Sequence, residues 1–533
     1  MSLLHPVLRK KKSVFLLLLT VVLIAAVVQF CLSYILQQYS LQSDYSKLSW
    51  IEAFDKLHAR ISQEYAFTQW KGVDWDSLYR EYQPIIVNAQ DENDFEAYYI
   101  GLRGYLHEIP DRHVSVSNLT EIDDKYIGGG FGVTVAKLDD DRIIFTWVDE
   151  TGPAWKTGIR TGAELITWND KPAADALEAV STVFTDISAT KEDLKLRKQH
   201  YLVRGPVGKQ VNVIYQNEGE QSPRTVSLTA YKDQKESLKK NYPNAVVSDR
   251  LRDALLEIEN PAPMPEAMVE QKSLEDGILY IKIWGEFDAD LQLTGQPPST
   301  LELLRKAVDG AITANAKGII LDLRNNLGGL DEMAADILGS FYPEKTFYEY
   351  QHAYNPTTGQ REIIKADPKA GTEALYIKPA QNCYSGQIIA LVNTRCVSSG
   401  EGIAMGIANL PNGDTLGFYG TNGSFGLSGS EAAMPGGITA RWPSGQSLDV
   451  NKEIQLDSRD DVGGVSPTIR IPMTAENAIR IANGEDVELE EAVRILRYNT
   501  GTALCFSSMR TKKIVTGSNP YLTCFLSPLN TCP

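Results

Sequence analysis

Hydrophobic positions along the chain fall into successive regimes, each with its own period. The first is an uncharged run from Ser13 to Leu36 containing FLLLLTVVLIAAVV, preceded by Arg9, Lys10, Lys11 and Lys12. As a helix that run rises roughly 34 Å, enough to cross a hydrocarbon core of about 30 Å. In SWIEAFDKLHARISQEYAF the residues Trp50, Phe54, Leu57, Ile61 and Tyr65 recur at three- to four-residue spacing, and a second such stripe runs through DFEAYYIGLRGYLHEI. Both predict amphipathic helices whose apolar faces belong to a core. From Lys125 the pattern shortens to β-type runs broken by glycine turns, with a charged stretch at residues 191–200 that reads as a solvated helix. Residues 233–272 are charged and proline-containing and read as a linker. Beyond Gly277 the strand ILYIKIWGEF, a Leu/Ala-rich helix, the buried strand GIILDLR, another helix and the strand GQIIALVN alternate. Such alternation predicts an α/β layer with parallel strands.

These regimes divide the chain into a tail and anchor (1–42), a helical region (43–122), a β-rich domain (123–232), a linker (233–272), an α/β core (273–498) and a cysteine-containing tail (499–533). The basic flank of the apolar run orients it with the flank in the cytoplasm and the body outside, on the periplasmic or extracellular side. Its length and the lack of a small-x-small cleavage site favour an uncleaved anchor over a signal peptide. Outside the cytoplasm disulfides persist, yet Cys383, Cys396, Cys505, Cys524 and Cys532 are odd in number, so at least one thiol stays unpaired or pairs with another chain.

The formal charge of −16 and the absence of a basic cluster after the N-terminus exclude nucleic acid as a partner, since phosphate binding needs a basic face. Apolar and charged fractions of 43% and 23% are those of a globular protein. There is neither CxxC nor HExxH, and no metal or cofactor is expected.

Chemistry is concentrated in two turns. In LVNTRCVSSGEGIAMGIANL a strand ends at Asn393 and a helix begins near Ser399, so a serine there meets unpaired N–H groups and the positive end of the helix dipole. Read locally, Ser398 or Ser399 is simply a helix cap. In GIILDLRNNLGG a buried strand delivers Asn325, Asn326, Gly328 and Gly329 at its C-terminal end, where open α/β sheets place ligands. Read locally, this is a tight turn before a helix.

DLRNNLGG followed by VNTRCVSSGE resembles the signature of the C-terminal processing and tricorn-core serine peptidases. That resemblance spans residues 45–497 and implies a ClpP/crotonase-like layered α/β core. It makes Ser398, three residues before Glu401, the nucleophile, and it assigns the oxyanion hole to Gly329, with Gly328 as the alternative, and to the N–H of Ser399. In the processing branch a lysine is the base, but the matching segment here is GTNGSFGLSG, with Leu427 at that position and no lysine between Ser398 and Lys452. The tricorn branch uses a histidine ahead of a PDZ domain and a carboxylate after the serine. LHEIPDRHVSVSN then points to His113, and RDDVGGVSPTIRIP to Asp461, with Asp460 adjacent. The segments GGGFG, GPAWKTGIRTGAELITWND and GKQVNVIYQ resemble a PDZ domain, whose loop Gly129, Gly130, Phe131 and Gly132 is expected to hold a peptide's C-terminus.

The chemistry this set implies is direct. A serine hydroxyl is a weak nucleophile until a base takes its proton; an imidazole does so near pH 7, and a carboxylate fixes its tautomer. The expected protein is a membrane-anchored serine endopeptidase acting on protein or peptide substrates. Its rival is a catalytically silent PDZ-based scaffold that retains the peptidase fold, from which His113 and Asp461 discriminate.

Overall fold

The computed structural model describes residues 42–498, apart from 242–244, 256–264, 266, 289–298, 368, 428 and 461. The apolar run 13–36 and the tail 499–533 lie outside the described residues. Among the described residues no helix is long and apolar enough to cross a membrane.

The α/β core forms as its sequence pattern predicts. Strands Ile278–Ile283, Gly318–Asp322, Gln387–Leu391, Gly413–Gly417 and Ile469–Arg470 run parallel in that order, with Val269–Ser273 antiparallel at the first edge. Alternate residues of these strands feed opposite faces, as the two-residue period of a strand requires. Ile319, Leu321, Ile388 and Ala390 pack on helices Thr300–Thr313, Asp331–Leu338 and Ser399–Ala408. Ile320, Ile389 and Leu391 pack on helices Ala475–Ala482 and Val487–Tyr498. A sheet covered on both sides buries its strands whole, which is why GIILD is apolar without alternation.

The helical region is not a separate body. Helix Trp50–Glu64 starts at Ser49, whose hydroxyl and the Glu52 carboxylate form a capping box. Its Phe54, Leu57 and Ile61 share one core with helices Trp75–Glu92 and Phe95–His107 and with Met434, Ile438 and Trp442. Those last three come from the hairpin Ser430–Met434 and Ile438–Trp442, far along the chain. The strand Ser115–Val116 pairs with Arg441–Ala440 of that hairpin and so fixes the segment carrying His113 to the C-terminal part of the chain.

The β-rich domain is a sheet ordered Arg224–Thr229, Gln210–Gln216, Glu164–Trp168, Ile143–Val148, Val133–Lys137. Helix Lys191–Leu202, expected to be solvated, instead lies along the edge strand Val133–Lys137 and buries Asp193, Gln199 and Leu202. Its polar composition is compatible with burial because the polar groups find partners. Asp193 accepts from Ser188 Oγ and Arg197 Nε, both at 2.7 Å, and Gln199 Oε1 accepts from the Lys137 N–H.

The expected linker likewise holds helices Glu236–Asn241 and Ala245–Leu255. The second lies against the turns at Asn325 and Arg395, with Ser248 Oγ donating to Asn325 O at 2.9 Å and Asp249 paired with Arg395 at 2.5 Å. Its charge pattern hid one apolar contact face, with Leu251 fully buried.

Candidate active site

Ser398 sits where the strand Gln387–Leu391 gives way to helix Ser399–Ala408, with φ 58° and ψ −134°. Non-glycine residues seldom occupy this region, and holding one there costs about 1–3 kcal/mol. The surroundings over-determine it. Ser398 N–H donates to Ser424 O at 3.0 Å, Val397 N–H to Asn326 O at 3.1 Å, and the Glu401 N–H to Ser398 O at 2.8 Å. Ser398 occupies the N-cap position yet its side chain makes no capping bond, so the hydroxyl is not spent on the helix.

The DLRNNLGG turn faces it. A Cβ on Gly328 would fall 2.5 Å from Ser398 Cβ and 3.2 Å from its Oγ, so only glycine admits the serine there. The Gly328 N–H is taken by Asn326 Oδ1 at 2.8 Å. Gly329 pairs with Glu286 in a parallel bridge, in which Glu286 bonds Gly328 O and Leu330 N–H. The groups of Gly329 itself therefore point to the other side. Among the described residues the amides of Gly329 and Ser399 have no acceptor. Two amides beside one serine hydroxyl can receive an oxyanion.

His113 lies in the same neighbourhood. Ser424, whose carbonyl holds Ser398, also accepts the Arg112 N–H on its Oγ at 3.0 Å. Asp111 accepts the His113 N–H at 2.9 Å and stands 3.7 Å from its Nδ1. Asp111 is fully buried and is joined by Tyr65 OH at 2.9 Å and Lys71 Nζ at 3.4 Å. Burial alone would raise its carboxyl, but Lys71 and His113 outweigh that and hold it below the usual carboxylate range. Lys71 also pairs with buried Asp457 at 2.6 Å, and Asp457 accepts the Phe425 N–H.

Glu401, which the sequence marks only by spacing, is the fastener of the 421–424 loop. It accepts from Thr421 Oγ1 at 2.5 Å, Gly423 N–H at 2.8 Å and Ser424 N–H at 2.9 Å. Its full burial pushes the carboxyl up to about 8.

The structure thus gathers Ser398, Ser399, Gly328, Gly329 and the His113 segment. Asp461 lies outside the described residues; neighbouring Asp460 is exposed with φ 54°. Leu427, at the position of a processing-branch lysine, packs its side chain on Gly445. The buried Lys282 is engaged with Asp322 and Arg324 O. Sequence reasoning missed Asp111, Lys71, Ser424 and Glu286; only Asp111 carried a local signal, an acid two residues before the histidine.

In the β-rich domain, Gly130 is corrected as a peptide donor. Its N–H bonds Tyr231 O at 2.9 Å, and the Arg204–Asp233 ion pair fills the space over it. Gly129 pairs with Gly205, and Phe131 is wholly in the domain core. The amides of Phe131 and Gly132 have no acceptor among the described residues.

A sharply turned serine at the end of a parallel strand, facing a glycine turn across an α/β core, defines a serine hydrolase fold and site. Comparison with known proteins places it further. Residues 277–471 match Peptidase family S41, and residues 46–97 match the Tricorn protease C1 domain. Among solved structures, mature CPAF is similar over 86% of this chain and 99% of its own, with TM-score 0.56 at 15% identity. Mature CPAF complexed with lactacystin gives 0.55, covering 85% and 98% at 15% identity, and a serine-to-alanine mutant of CPAF gives 0.58, covering 85% and 98% at 14%. At that identity the likeness speaks for the fold. No curated protein sequence matches. The matched residues carry the family S41 core and the tricorn C1 region, which together support a C-terminal processing or tricorn-like serine-type peptidase.

Proposed function

We propose that the protein is a membrane-anchored endopeptidase that cleaves peptide bonds at Ser398 through an acyl-enzyme. Ser398 Oγ attacks the scissile carbonyl, His113 takes the hydroxyl proton and returns it to the leaving amine, and the amides of Gly329 and Ser399 receive the oxyanion. Water then repeats the sequence on the acyl-enzyme with His113 as base. The observation that carries this reading is Ser424, which holds the strained Ser398 backbone by its carbonyl and the residue before His113 by its hydroxyl.

The resemblance assigns the orienting acid to Asp461, with Asp460 beside it. The geometry favours a second assignment, Asp111, whose carboxylate stands 3.7 Å from Nδ1 and is kept charged by Lys71. A fluorophosphonate probe tests the core of the proposal. Ser398→Ala should abolish labelling and His113→Ala should slow it by several orders of magnitude; labelling indifferent to Ser398→Ala would sink the assignment.

The β-rich domain is read as a PDZ domain that takes a substrate's C-terminus, with Phe131 and Gly132 supplying the amides that Gly130 does not. A peptide with a free C-terminus should bind better than its amidated twin; equal binding leaves the domain a spacer. The run 13–36 is read as the anchor with the body outside the cytoplasm. Added protease should digest the body in intact cells or spheroplasts, and protection there would overturn this topology.

A further inference from the structure

We propose that Glu286 is a positioning residue that locks the two halves of the oxyanion hole into one unit. The proposal rests on the reading of Ser398 as nucleophile. The donors of that hole come from two chain segments with no covalent link near the site, the turn at Gly329 and the first turn of helix Ser399–Ala408. An oxyanion hole accelerates a reaction only if its donors are already aimed when charge develops, so something must hold the segments in register.

Glu286 touches both. Its backbone forms the parallel bridge around Gly329, donating to Gly328 O at 3.1 Å and accepting from Leu330 N–H at 2.9 Å. This is a close approach: a Cβ on Gly329 would lie 2.4 Å from Glu286 O. Its carboxylate reaches the other half. Oε2 accepts from Ser399 Oγ at 3.1 Å, and Oε1 accepts from Asn326 Nδ2 at 2.8 Å. Asn326 closes the loop, for its Oδ1 takes the Gly328 N–H while its carbonyl takes the Val397 N–H next to Ser398. A Cβ on Gly400 would press to 2.4 Å from that same Oδ1, so the helix start seats directly on Asn326.

Both oxygens of a wholly buried carboxyl group are thus given to neutral donors, with no cation among its described hydrogen-bond partners. Burial, opposed by Asn326 and Ser399, leaves the group titrating at about 7. A buried acid without a cation is a poor stability device. Its placement between two catalytic turns gives it a role, which is to set the direction of the Ser399 and Gly329 amides.

The test uses the full-length protein and a rhodamine fluorophosphonate, with the maximal phosphonylation rate and the half-saturating concentration measured separately. Ser398→Ala must abolish labelling; if it does not, the nucleophile reading fails, independently of Glu286. With that established, Glu286→Ala should cut the maximal rate by about 10²-fold, the scale of a lost oxyanion donor, with half-saturation changed less than about threefold. Glu286→Gln should return to within about tenfold of the parent, since the amide keeps a carbonyl acceptor and the Ser399 hydroxyl can accept as well as donate. If Glu286→Ala does not fold, Ser399→Ala decides, because it removes one bond to Glu286 and leaves the Ser399 amide in place; a several-fold slower maximal rate is expected. An unchanged maximal rate in Glu286→Ala, or in Ser399→Ala where the former does not fold, overturns the proposal. So does a Gln variant as slow as Ala.

Discussion

Ser398, Gly328 and Asp111 carry the sharpest consequences of the site. Gly328 has φ 78°, and its missing Cβ is the space Ser398 occupies. Gly328→Ala should lower turnover by at least about 10²-fold and cost about 1–2 kcal/mol for the left-handed backbone. Active-site titration combined with thermal unfolding separates the two effects. The acid assignment can be decided by comparing Asp111→Asn with Asp461→Asn. If Asp111 orients His113, its variant should lose activity by several orders of magnitude while Asp461→Asn stays near the parent; the reverse order supports the resemblance. Because Asp111 is also tied to Lys71 and Tyr65, Asp111→Asn should lower the melting temperature too, so turnover per folded molecule is the relevant readout.

Among the elements, the hairpin Ser430–Trp442 is the one on which the site's assembly depends. Trp442 is 1% exposed and packs in the same core as Phe54, Leu57 and Ile61. Its neighbour Arg441 pairs with Ser115 in the strand after His113. Trp442→Ala should therefore destabilise the protein by about 3–5 kcal/mol. It should also raise hydrogen exchange in the helices of residues 50–107 and in the 111–116 segment together. Exchange that rises only in the hairpin would mean the helical region stands on its own core.

At the scale of the whole molecule, buried carboxyls make stability depend on pH in a direction opposite to the usual one. Glu401 and Glu286 are raised by burial to about 8 and about 7. A carboxyl whose folded pKa exceeds its unfolded value of about 4.3 contributes stability fully below that value and loses it as pH rises through the folded pKa. Asp111, held low, works the other way and matters only in strong acid. The melting temperature should fall between about pH 5 and 8, and Glu401→Gln should flatten that slope relative to the parent. Parallel slopes for the two proteins would show that Glu401 does not contribute.

The layered core, the parallel strands, the amphipathic helices and the two turns at Gly328–Gly329 and Ser398–Ser399 were legible in the sequence because each rests on local periodicity or on glycine at a fixed offset. The strand GIILD, the stripe Phe54–Leu57–Ile61 and the pair Gly328–Gly329 needed nothing beyond their neighbours in the chain to be placed. Partnerships between distant segments were not legible, since a buried polar group is tolerated only with a partner and the partner is chosen by packing. Nothing in the chain around Glu286, Lys71 or Ser424 marks them, because each finds its partners in segments far away in sequence. Helix Lys191–Leu202 read as solvated because two of its three buried positions, Asp193 and Gln199, are polar, with Leu202 the one apolar residue among them. Only the tertiary structure decided that one serine hydroxyl and carbonyl join the two halves of the site, and that a buried glutamate sits between the turns.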